Sequence, residues 1–399
     1  MYTTHIFGFT MLSFFFWITT AQAENFVLEI SDEIDLNLGG TWSIPFHDGY
    51  RWWLAMGQAS DLWVAPLYDS NWYVEMPLTQ NLSNQGVLYD HSFRSCPDGS
   101  YLHISTGDAQ EPHYVFRYDE NFQLLGESRY AQGQPAHANN DIPAICGTEF
   151  QGFGIAEQQG RRDFFIDVDQ NAVSMEPVEL EESPRMTGSG MIEVNEELIV
   201  VGMDPGPDLS ISIYNTDLQL VEQASVPPYS EEIIHYWPSR IEKIGSHYLI
   251  ATMGRDPADQ FPLDTGDLYV AVVNANFELQ EWHQISFNDP TQTGGMRPWF
   301  DVYEDQVILG YDKQNSLYLY SLKLNLDAFD NGNTDTEPSS EPSEEPSSEP
   351  SGDPSTDPTP SDPKTNDGCG SNAAILPFLL LPLAYRRKIN LHTESDQGK

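Results

Sequence analysis

Four arginines form the most suggestive chemical pattern in the sequence, because each lies just before or within the first short strand of a repeating unit. With two nearby tryptophans they make up the candidate site: Arg94, Arg185, Arg240, Arg297, Trp237 and Trp299. A guanidinium binds a carboxylate through paired hydrogen bonds, and an indole ring stacks on a sugar. The set predicts a polar pocket for an anionic or sugar ligand. Alternatively, each arginine pairs with a carboxylate between neighbouring units and only balances charge.

Other motifs give no catalytic assignment. The sequence contains no H-E-x-x-H, C-x-x-C, G-x-S-x-G or phosphate-loop pattern. Residues 167–171 imitate the start of a calcium loop, but Ala172 replaces the required glycine and no glutamate stands at the twelfth position. We therefore interpret this segment as a hairpin turn. No metal site and no cofactor are predicted, apart from Ca²⁺ held loosely by the acidic surface.

The charge balance excludes one class of partner. Between residues 24 and 329 lie 48 of the 61 acidic residues and 13 of the 18 basic ones, which gives this body a net charge near −35. Nucleic-acid binding requires Lys and Arg to neutralise phosphates. The composition therefore argues against nucleic acid, and equally against an anionic membrane surface.

The body is repetitive. Residues 118–124 recur as 214–220, 273–279 and 68–74, with a looser copy at 168–171, at spacings of 46 to 59 residues. Each copy follows an alternating strand, and its Asp or Asn is typical of a hairpin link. Four short strands in a unit of this length indicate a blade of a β-propeller.

The start of the mature chain supplies a further strand. Residues 25–29 match the outer-strand openings at 121–124 and 276–279, so we expect the N-terminal strand to complete the last blade and leave no open edge. Residues 24–329 are thus predicted to be all-β, and the chain resembles a generic six-bladed β-propeller repeat protein of no specific family. Seven blades or a two-sheet sandwich are the alternatives.

Two cysteines lie one repeat apart, since Cys96 and Cys146 are separated by 50 residues. They occupy near-equivalent places in neighbouring blades. In an exported protein a disulfide is possible. Two buried free thiols are the other interpretation.

The N-terminal segment predicts export. An apolar run over residues 6–18 is followed by an A-x-A pattern ending at Ala23. We interpret residues 1–23 as a signal peptide, cleaved after Ala23.

The C-terminal segment predicts attachment to the cell surface. Residues 330–367 form an acidic Pro/Ser-rich spacer, which we expect to be disordered. Residues 368–388 contain a Gly-Cys-Gly-Ser motif, a short apolar stretch and a basic cluster, and a polar tail follows at 389–399. This order resembles the tripartite sorting signals of Gram-negative bacteria, of the MYXO-CTERM and GlyGly-CTERM types. The resemblance implies cleavage by a sorting protease and anchoring through Cys369. An ordinary single-span anchor is the alternative.

Two function classes fit these features. The first is a surface-anchored binding module for a polysaccharide or a surface protein, in contact with the membrane only through its tail. The second is a secreted propeller enzyme of lactonase, lyase, glycosidase or sulfotransferase type, with its site at the axial mouth. Fold alone does not choose between them. The lack of a dense carboxylate and histidine cluster favours binding, whereas a Ca²⁺ bound at the axis would favour an enzyme.

Overall fold

The computed structural model covers most of the body. The described residues are 26–58, 61–68, 73–74, 80–81, 90–106, 113–130, 143–156, 162–203, 207–255, 266–286, 296–313 and 316–330. They all belong to the first of the two units into which the chain divides, which ends at Thr336. The predicted signal peptide, sorting segment and polar tail lie outside the described residues, as does the predicted spacer beyond residue 330.

Six antiparallel sheets account for the described strands. Read from the innermost strand outward, the six blades are as follows: blade 1, β3 (Thr41–His47), β4 (Trp52–Gln58) and β5 (Asp61–Tyr68), with β6 (Tyr73–Val74) and β7 (Gln80–Asn81) both on β5; blade 2, β8 (Asp90–Ser95), β9 (Tyr101–Thr106), β10 (His113–Tyr118) and β11 (Leu124–Arg129); blade 3, β12 (Ala144–Cys146), β13 (Gln151–Ala156), β14 (Asp163–Asp167) and β15 (Val178–Leu180); blade 4, β16 (Arg185–Val194), β17 (Glu197–Met203), β18 (Leu209–Tyr214) and β19 (Leu220–Val226); blade 5, β20 (Ile234–Ile244), β21 (His247–Arg255), β22 (Asp267–Asn274) and β23 (Leu279–Gln284); blade 6, β24 (Met296–Tyr303), β25 (Gln306–Lys313) and β26 (Ser316–Leu324), with β1 (Val27–Ile30) and β2 (Ile34–Gly39) both on β26.

The first strands of neighbouring blades contact one another in turn, from β3 through β8, β12, β16 and β20 to β24 and back to β3. These six inner strands therefore surround the axis of a closed ring. The structure confirms the six-bladed propeller, so the seven-bladed and sandwich alternatives are wrong.

The two middle strands of a blade are buried on both faces because each sheet is sandwiched between its neighbours. In blade 5, for example, β21 and β22 are almost entirely buried, whereas the outer strand β11 of blade 2 is mostly exposed. The buried apolar residues divide into six clusters, one at each blade-to-blade interface of the described chain. The core is thus distributed around the ring.

The repeated Asp/Asn positions form the link between the third and fourth strands of a blade. In the four described copies, the side-chain oxygen of Asp119, Asp169, Asn215 or Asn274 accepts backbone N–H bonds from the residues two and four positions later, at 2.8–3.1 Å. The residue three positions after the Asp or Asn has a positive φ of 57–63° in each copy. A local side-chain bond thus stabilises a left-handed turn residue. Asp169 lies in a hairpin turn, as predicted; the copy at 69–72 lies outside the described residues.

The N-terminal strand closes the ring as predicted. In the antiparallel ladder of β1 and β26, Val27 pairs with Leu324 and Ile30 with Leu322. Strand β2 extends the same edge, with Ile34 opposite Leu319. Closure therefore pairs an edge that would otherwise offer unpaired backbone groups.

One face of the ring is formed by hairpin links. Links between first and second strands, and between third and fourth strands, lie on one face, which we call the hairpin face. A five-residue helix, α1 (Leu326–Asp330), ends there: the carbonyl oxygen of Phe329 accepts bonds from the backbone N–H and the hydroxyl of Ser246, in the β20–β21 link. As the one helix in the described chain, α1 is too short to cross a membrane.

Candidate functional site

All four candidate arginines belong to inner strands: Arg94 to β8, Arg185 to β16, Arg240 to β20 and Arg297 to β24. Trp237 and Trp299 lie on β20 and β24. The ladders of β16, β20 and β24 shift register at residues 185–190, 236–240 and 296–299. Such irregularities re-aim side chains and are frequent beside functional sites. The side chains of Arg185, Trp237 and Arg297 lie outside the described residues.

Arg94 and Trp299 contact each other beside the axis. The Arg94 Cζ atom lies 4.7 Å from the centre of the Trp299 ring. Because these residues belong to blades 2 and 6, which blade 1 separates in the ring, they meet next to the axis. Arg94 also donates from Nε to the carbonyl oxygen of Ala144 on β12, at 2.7 Å. Arg94 is 5% exposed and Trp299 2%, so the guanidinium charge is held in a largely dehydrated place.

Arg240 lies between two carboxylates on neighbouring inner strands. Its Nη2 is 2.5 Å from Oε1 of Glu242 and 3.6 Å from Oδ1 of Asp301. The second oxygen of Asp301 accepts the backbone N–H of His47, on β3, at 2.7 Å. In the β20 and β24 ladders, Arg240 and Trp299 occupy the fifth pair from the hairpin turn, and Glu242 and Asp301 the third. Arg240 therefore lies at the same depth along the axis as Trp299, and Glu242 lies at the same depth as Asp301.

The carboxylates titrate unusually because they are partly dehydrated and close to each other. Burial raises the pKa of Glu242 to about 7; Arg240 opposes this shift, and the Asp301 charge adds to it. Burial also raises the pKa of Asp301, against the effects of Arg240 and the His47 N–H. At neutral pH the pair therefore holds a proton for part of the time.

Three N–H groups in this region lack an acceptor among the described residues: Nη2 of Arg94, Nε of Arg240 and Nε1 of Trp299. They come from three different blades. A buried donor without a partner costs roughly 1–3 kcal/mol. The region is therefore suited to a group that supplies oxygen acceptors, such as a carboxylate or a sugar hydroxyl. We call Arg94, Arg240, Glu242, Trp299 and Asp301 the axial cluster.

Sequence reasoning names Asp301 as a neighbour of the four arginines but not as a ligand-binding residue, and it does not single out Glu242. Each follows a candidate residue by two positions on its strand, Arg240 and Trp299 respectively, and so projects from the same side of the sheet. That spacing is the signal that would have identified them. The structure thus combines part of both interpretations: Arg240 pairs with Asp301 across a blade boundary and with Glu242 on its own strand, yet its Nε has no acceptor among the described residues.

A disulfide joins Cys96 to Cys146, with the two Cα atoms 4.9 Å apart. Cys96 directly follows β8, and Cys146 ends β12. The bond therefore ties together the inner strands that the Arg94–Ala144 hydrogen bond also connects.

A fifth arginine, which the sequence pattern did not single out, has a different environment. Arg117, on β10, is fully buried and donates to Oγ of Ser100, Oε1 of Gln151 and Oδ2 of Asp98, at 2.8–3.0 Å. We call these four residues the Arg117 network. It joins blade 2 to blade 3, and none of its arginine nitrogens lacks a partner.

Within the described ranges, no group of three or more His, Cys, Asp or Glu side chains could hold a metal ion. The axial cluster has two carboxylates and two guanidiniums, a set that suits an anion or a proton better than a cation.

No family model matches the sequence, and no curated protein matches it either. Among solved structures, it is similar to a DUF4623 family protein from Bacteroides eggerthii, with 8% identity, coverage of 75% of this chain and 77% of that one, and a TM-score of 0.45. It is also similar to a subtype N10 neuraminidase-like protein of A/little yellow-shouldered bat/Guatemala/060/2010, with 11% identity, coverage of 75% and 100%, and a TM-score of 0.43. The site is therefore interpreted from its own residues.

Proposed function

We propose that this chain is an exported binding module, held at the cell surface, whose ligand presents a carboxylate to the axial cluster. The observation that carries the proposal is the set of three acceptor-free N–H groups on Arg94, Arg240 and Trp299. A carboxylate accepts several hydrogen bonds at once, and its charge complements a guanidinium. Arg94 covers one face of the Trp299 ring and the residue is almost fully buried, so we expect the indole to contribute its N–H rather than a stacking surface.

Electrostatics limit where an anion binds on this protein. The acidic exterior repels anions, and arginines are scarce in the body. A site with two guanidiniums beside the axis therefore offers one of the few favourable potentials on the molecule. Recognition of a single carboxylate fits the uronic acid of a polysaccharide, and also the free C-terminus of a surface protein.

Calorimetric titration of the full chain separates these ligands. The probes are D-glucuronate, N-acetylglycine as a C-terminal carboxylate, and D-glucose as the uncharged sugar. We expect glucuronate to bind and glucose to give no heat; binding of N-acetylglycine as well would assign recognition to the carboxylate alone. Arg94→Gln should weaken glucuronate binding at least tenfold, because a charge-assisted bond is worth about 1.5–3 kcal/mol.

Arg129→Gln is the matched control. Arg129 also lies over an aromatic ring, with its Cζ 4.7 Å from the centre of Tyr114, but it is exposed on an outer strand. The Arg129→Gln variant should bind glucuronate with the affinity of the wild type. Equal loss in both variants, or no binding of either acid by the wild type, would refute the axial site.

A second candidate function is favoured by the carboxylate pair. A glutamic acid with a pKa near neutrality beside a second carboxylate is the arrangement that acid–base catalysis uses. This supports the alternative of a secreted enzyme of glycosidase or lyase type. Hydrolysis of p-nitrophenyl glycosides, or cleavage of polygalacturonate, that disappears in Glu242→Gln would establish it; bound glucuronate without turnover of either substrate would favour the binding module.

The cellular location of the protein is a separate part of the proposal. It is supported by the A-x-A site at residues 21–23 and by the spacer, Cys369 and basic cluster at the other end. Cells expressing the full chain and a chain ending at Asp367 are fractionated. We expect the first at the cell surface and the second in the medium or periplasm. Cytoplasmic location of both, or equal membrane association of both, would contradict it.

A further inference from the structure

Glu242 and Asp301 both contact Arg240. These three side chains are more accessible to solvent than Arg94 and Trp299, the other members of the axial cluster. The side chains of Arg240, Glu242 and Asp301 keep 13%, 22% and 16% of their exposure. Arg94 and Trp299 are nearly sealed by comparison. A proton can therefore exchange with solvent at the carboxylates while the neighbouring donors remain dehydrated.

The charge of the axial cluster depends on that proton. With both carboxylates ionised, two guanidiniums balance two carboxylates and the net charge is zero. With one proton bound, the net charge is +1, and Arg240 has one anionic partner fewer. An incoming carboxylate then competes with one negative group instead of two. At short range in a partly dehydrated site, such a difference exceeds what the exposed surface charges contribute.

The groups that act on the pair come from three inner strands. Glu242 interacts with Arg240 on its own strand and with Asp301 on β24. Asp301 interacts in addition with His47 on β3, whose pKa burial lowers while Asp48, Asp301 and Glu304 oppose that shift.

Two titratable groups on the strands beside β20 face elsewhere. On β16, Glu193 accepts the backbone N–H bonds of Glu149 and Phe150 in blade 3. On β21, His247 contacts the carbonyl oxygen of Phe329. The side chains of Arg185 and Arg297 lie outside the described residues.

We propose that the axial cluster takes up a proton together with its anionic ligand, and that Glu242, paired with Asp301, is the group that receives it. This inference rests on the proposed binding function and adds its regulation. Proton uptake leaves the guanidiniums free to face the ligand carboxylate, so binding is tight in mildly acidic surroundings and weak in alkaline ones. The raised pKa of Glu242 places the transition near neutrality, where external pH varies.

Glucuronate binding to the full chain is measured by calorimetry from pH 6 to pH 8.5. Because glucuronate is ionised throughout this range, its own charge does not change. We expect the association constant to fall by up to tenfold per pH unit above about pH 7. At pH 7.5, titrations in phosphate and in Tris, which have different ionisation heats, should show uptake of about 0.5–0.8 proton per ligand.

Glu242→Gln should give a flat pH profile with no proton uptake, because glutamine imitates the protonated acid. Its affinity at pH 8.5 should match that of the wild type at pH 6. Glu222→Gln, on the exposed outer strand β19, is the control and should keep the wild-type profile. The buffer comparison on the wild type does not depend on how any variant folds.

The outcomes distinguish the two proposals. Wild-type binding with a flat profile and no proton uptake would overturn the coupling and leave the binding function standing. A slope that persists in Glu242→Gln would overturn the assignment to Glu242. Absence of binding at every pH would overturn both proposals.

Discussion

Arg94 and Arg117 lie two strands apart in blade 2, and both bond to blade 3, yet they are bonded very differently. Every nitrogen of Arg117 has a partner, through Ser100, Gln151 and Asp98. Among the described residues, Arg94 makes one hydrogen bond, to a backbone carbonyl, and its Nη2 has no acceptor. A guanidinium that only joined blades would be satisfied within the fold, as Arg117 is. The unused donor beside the axis therefore supports the proposal that Arg94 serves a binding site, whereas Arg117 only joins the blades.

The disulfide supports both arginines, so its removal should have the largest effect on stability. Cys96 and Cys146 close a loop of 50 residues across the interface of blades 2 and 3. Replacing both by alanine should lower the free energy of unfolding by about 3–4 kcal/mol, mainly by freeing the unfolded chain. Guanidinium denaturation measures the change. Reduced and oxidised wild-type protein provide the control, and identical midpoints for the two would contradict the prediction.

The Arg117 network should be the next most sensitive place. Arg117→Met removes three charge-assisted hydrogen bonds and leaves Ser100 and Gln151 without their donor. Asp98 is 54% exposed and regains water, which moderates the loss to about 3 kcal/mol. The control is Arg129→Met on the surface, for which we expect less than about 0.5 kcal/mol. If the two variants unfold at the same denaturant concentration, the network does not brace the blades.

The buried histidines of blade 2 extend the comparison to groups that are held neutral. His91 and His103 are in contact, Nδ1 to Nε2, at 3.0 Å. Burial lowers the pKa of His91 to about 3 and that of His103 well below its usual value, with the His91 charge adding to the second effect. Folded-state pKa values below the unfolded value of about 6.5 mean that stability is present above pH 6.5 and is lost as pH falls.

Replacing His103 by leucine should therefore flatten the pH dependence. Each buried neutral histidine costs about 1.4 kcal/mol per pH unit below pH 6.5, or about 2 kcal/mol by pH 5. The measurement is the difference in unfolding free energy between pH 7 and pH 5, in wild type and variant. An equal difference in both proteins would show that His103 takes up its proton without unfolding.

How much the sequence could predict follows from how local each feature is. The blade period rests on Asp119 and its repeats, where a side chain bonds its own backbone two and four residues later. Such turns can be recognised from a few residues. The closing strand could be predicted because its opening repeats that of other outer strands.

The partners of the arginines could not be predicted in the same way. Arg117 meets Asp98 and Gln151, 19 and 34 residues away, through packing that no short motif encodes. The axial cluster depends on register shifts before Arg240 and Trp299, which decide the neighbours that those residues face. A repeat period locates inner strands, but the contacts across the axis follow from the closed ring.

Arg94→Gln tests most directly whether Arg94 and Arg117 have different roles, because stability and ligand binding should change by different amounts in the two variants. Within the part of the chain that the structure describes, Arg94 has one hydrogen bond and one ring contact, so we expect a loss of only about 1 kcal/mol in unfolding free energy. Glucuronate binding should nevertheless fall at least tenfold. Arg117→Met should show the reverse, with a large loss of stability and, in the folded protein at low temperature, near-normal binding. If Arg94→Gln lost as much stability as Arg117→Met, the role of Arg94 would be to join the blades rather than to bind a ligand.

A gain in stability tests whether Arg240 belongs with Arg94 or with Arg117. The folded-state pKa of Glu242 is raised to about 7, above its unfolded value, so its contribution is fully present below about pH 4.5 and is lost as pH rises through 7. Glu242→Gln cannot ionise and escapes that loss. We expect the variant to gain about 2.5 kcal/mol over the wild type between pH 5 and pH 8.5, with Glu222→Gln unchanged. A loss at pH 8.5 would mean that Arg240 needs both carboxylates, as Arg117 needs its partners. A gain would mean that one carboxylate suffices to hold Arg240 in place, and that the second is present for its proton.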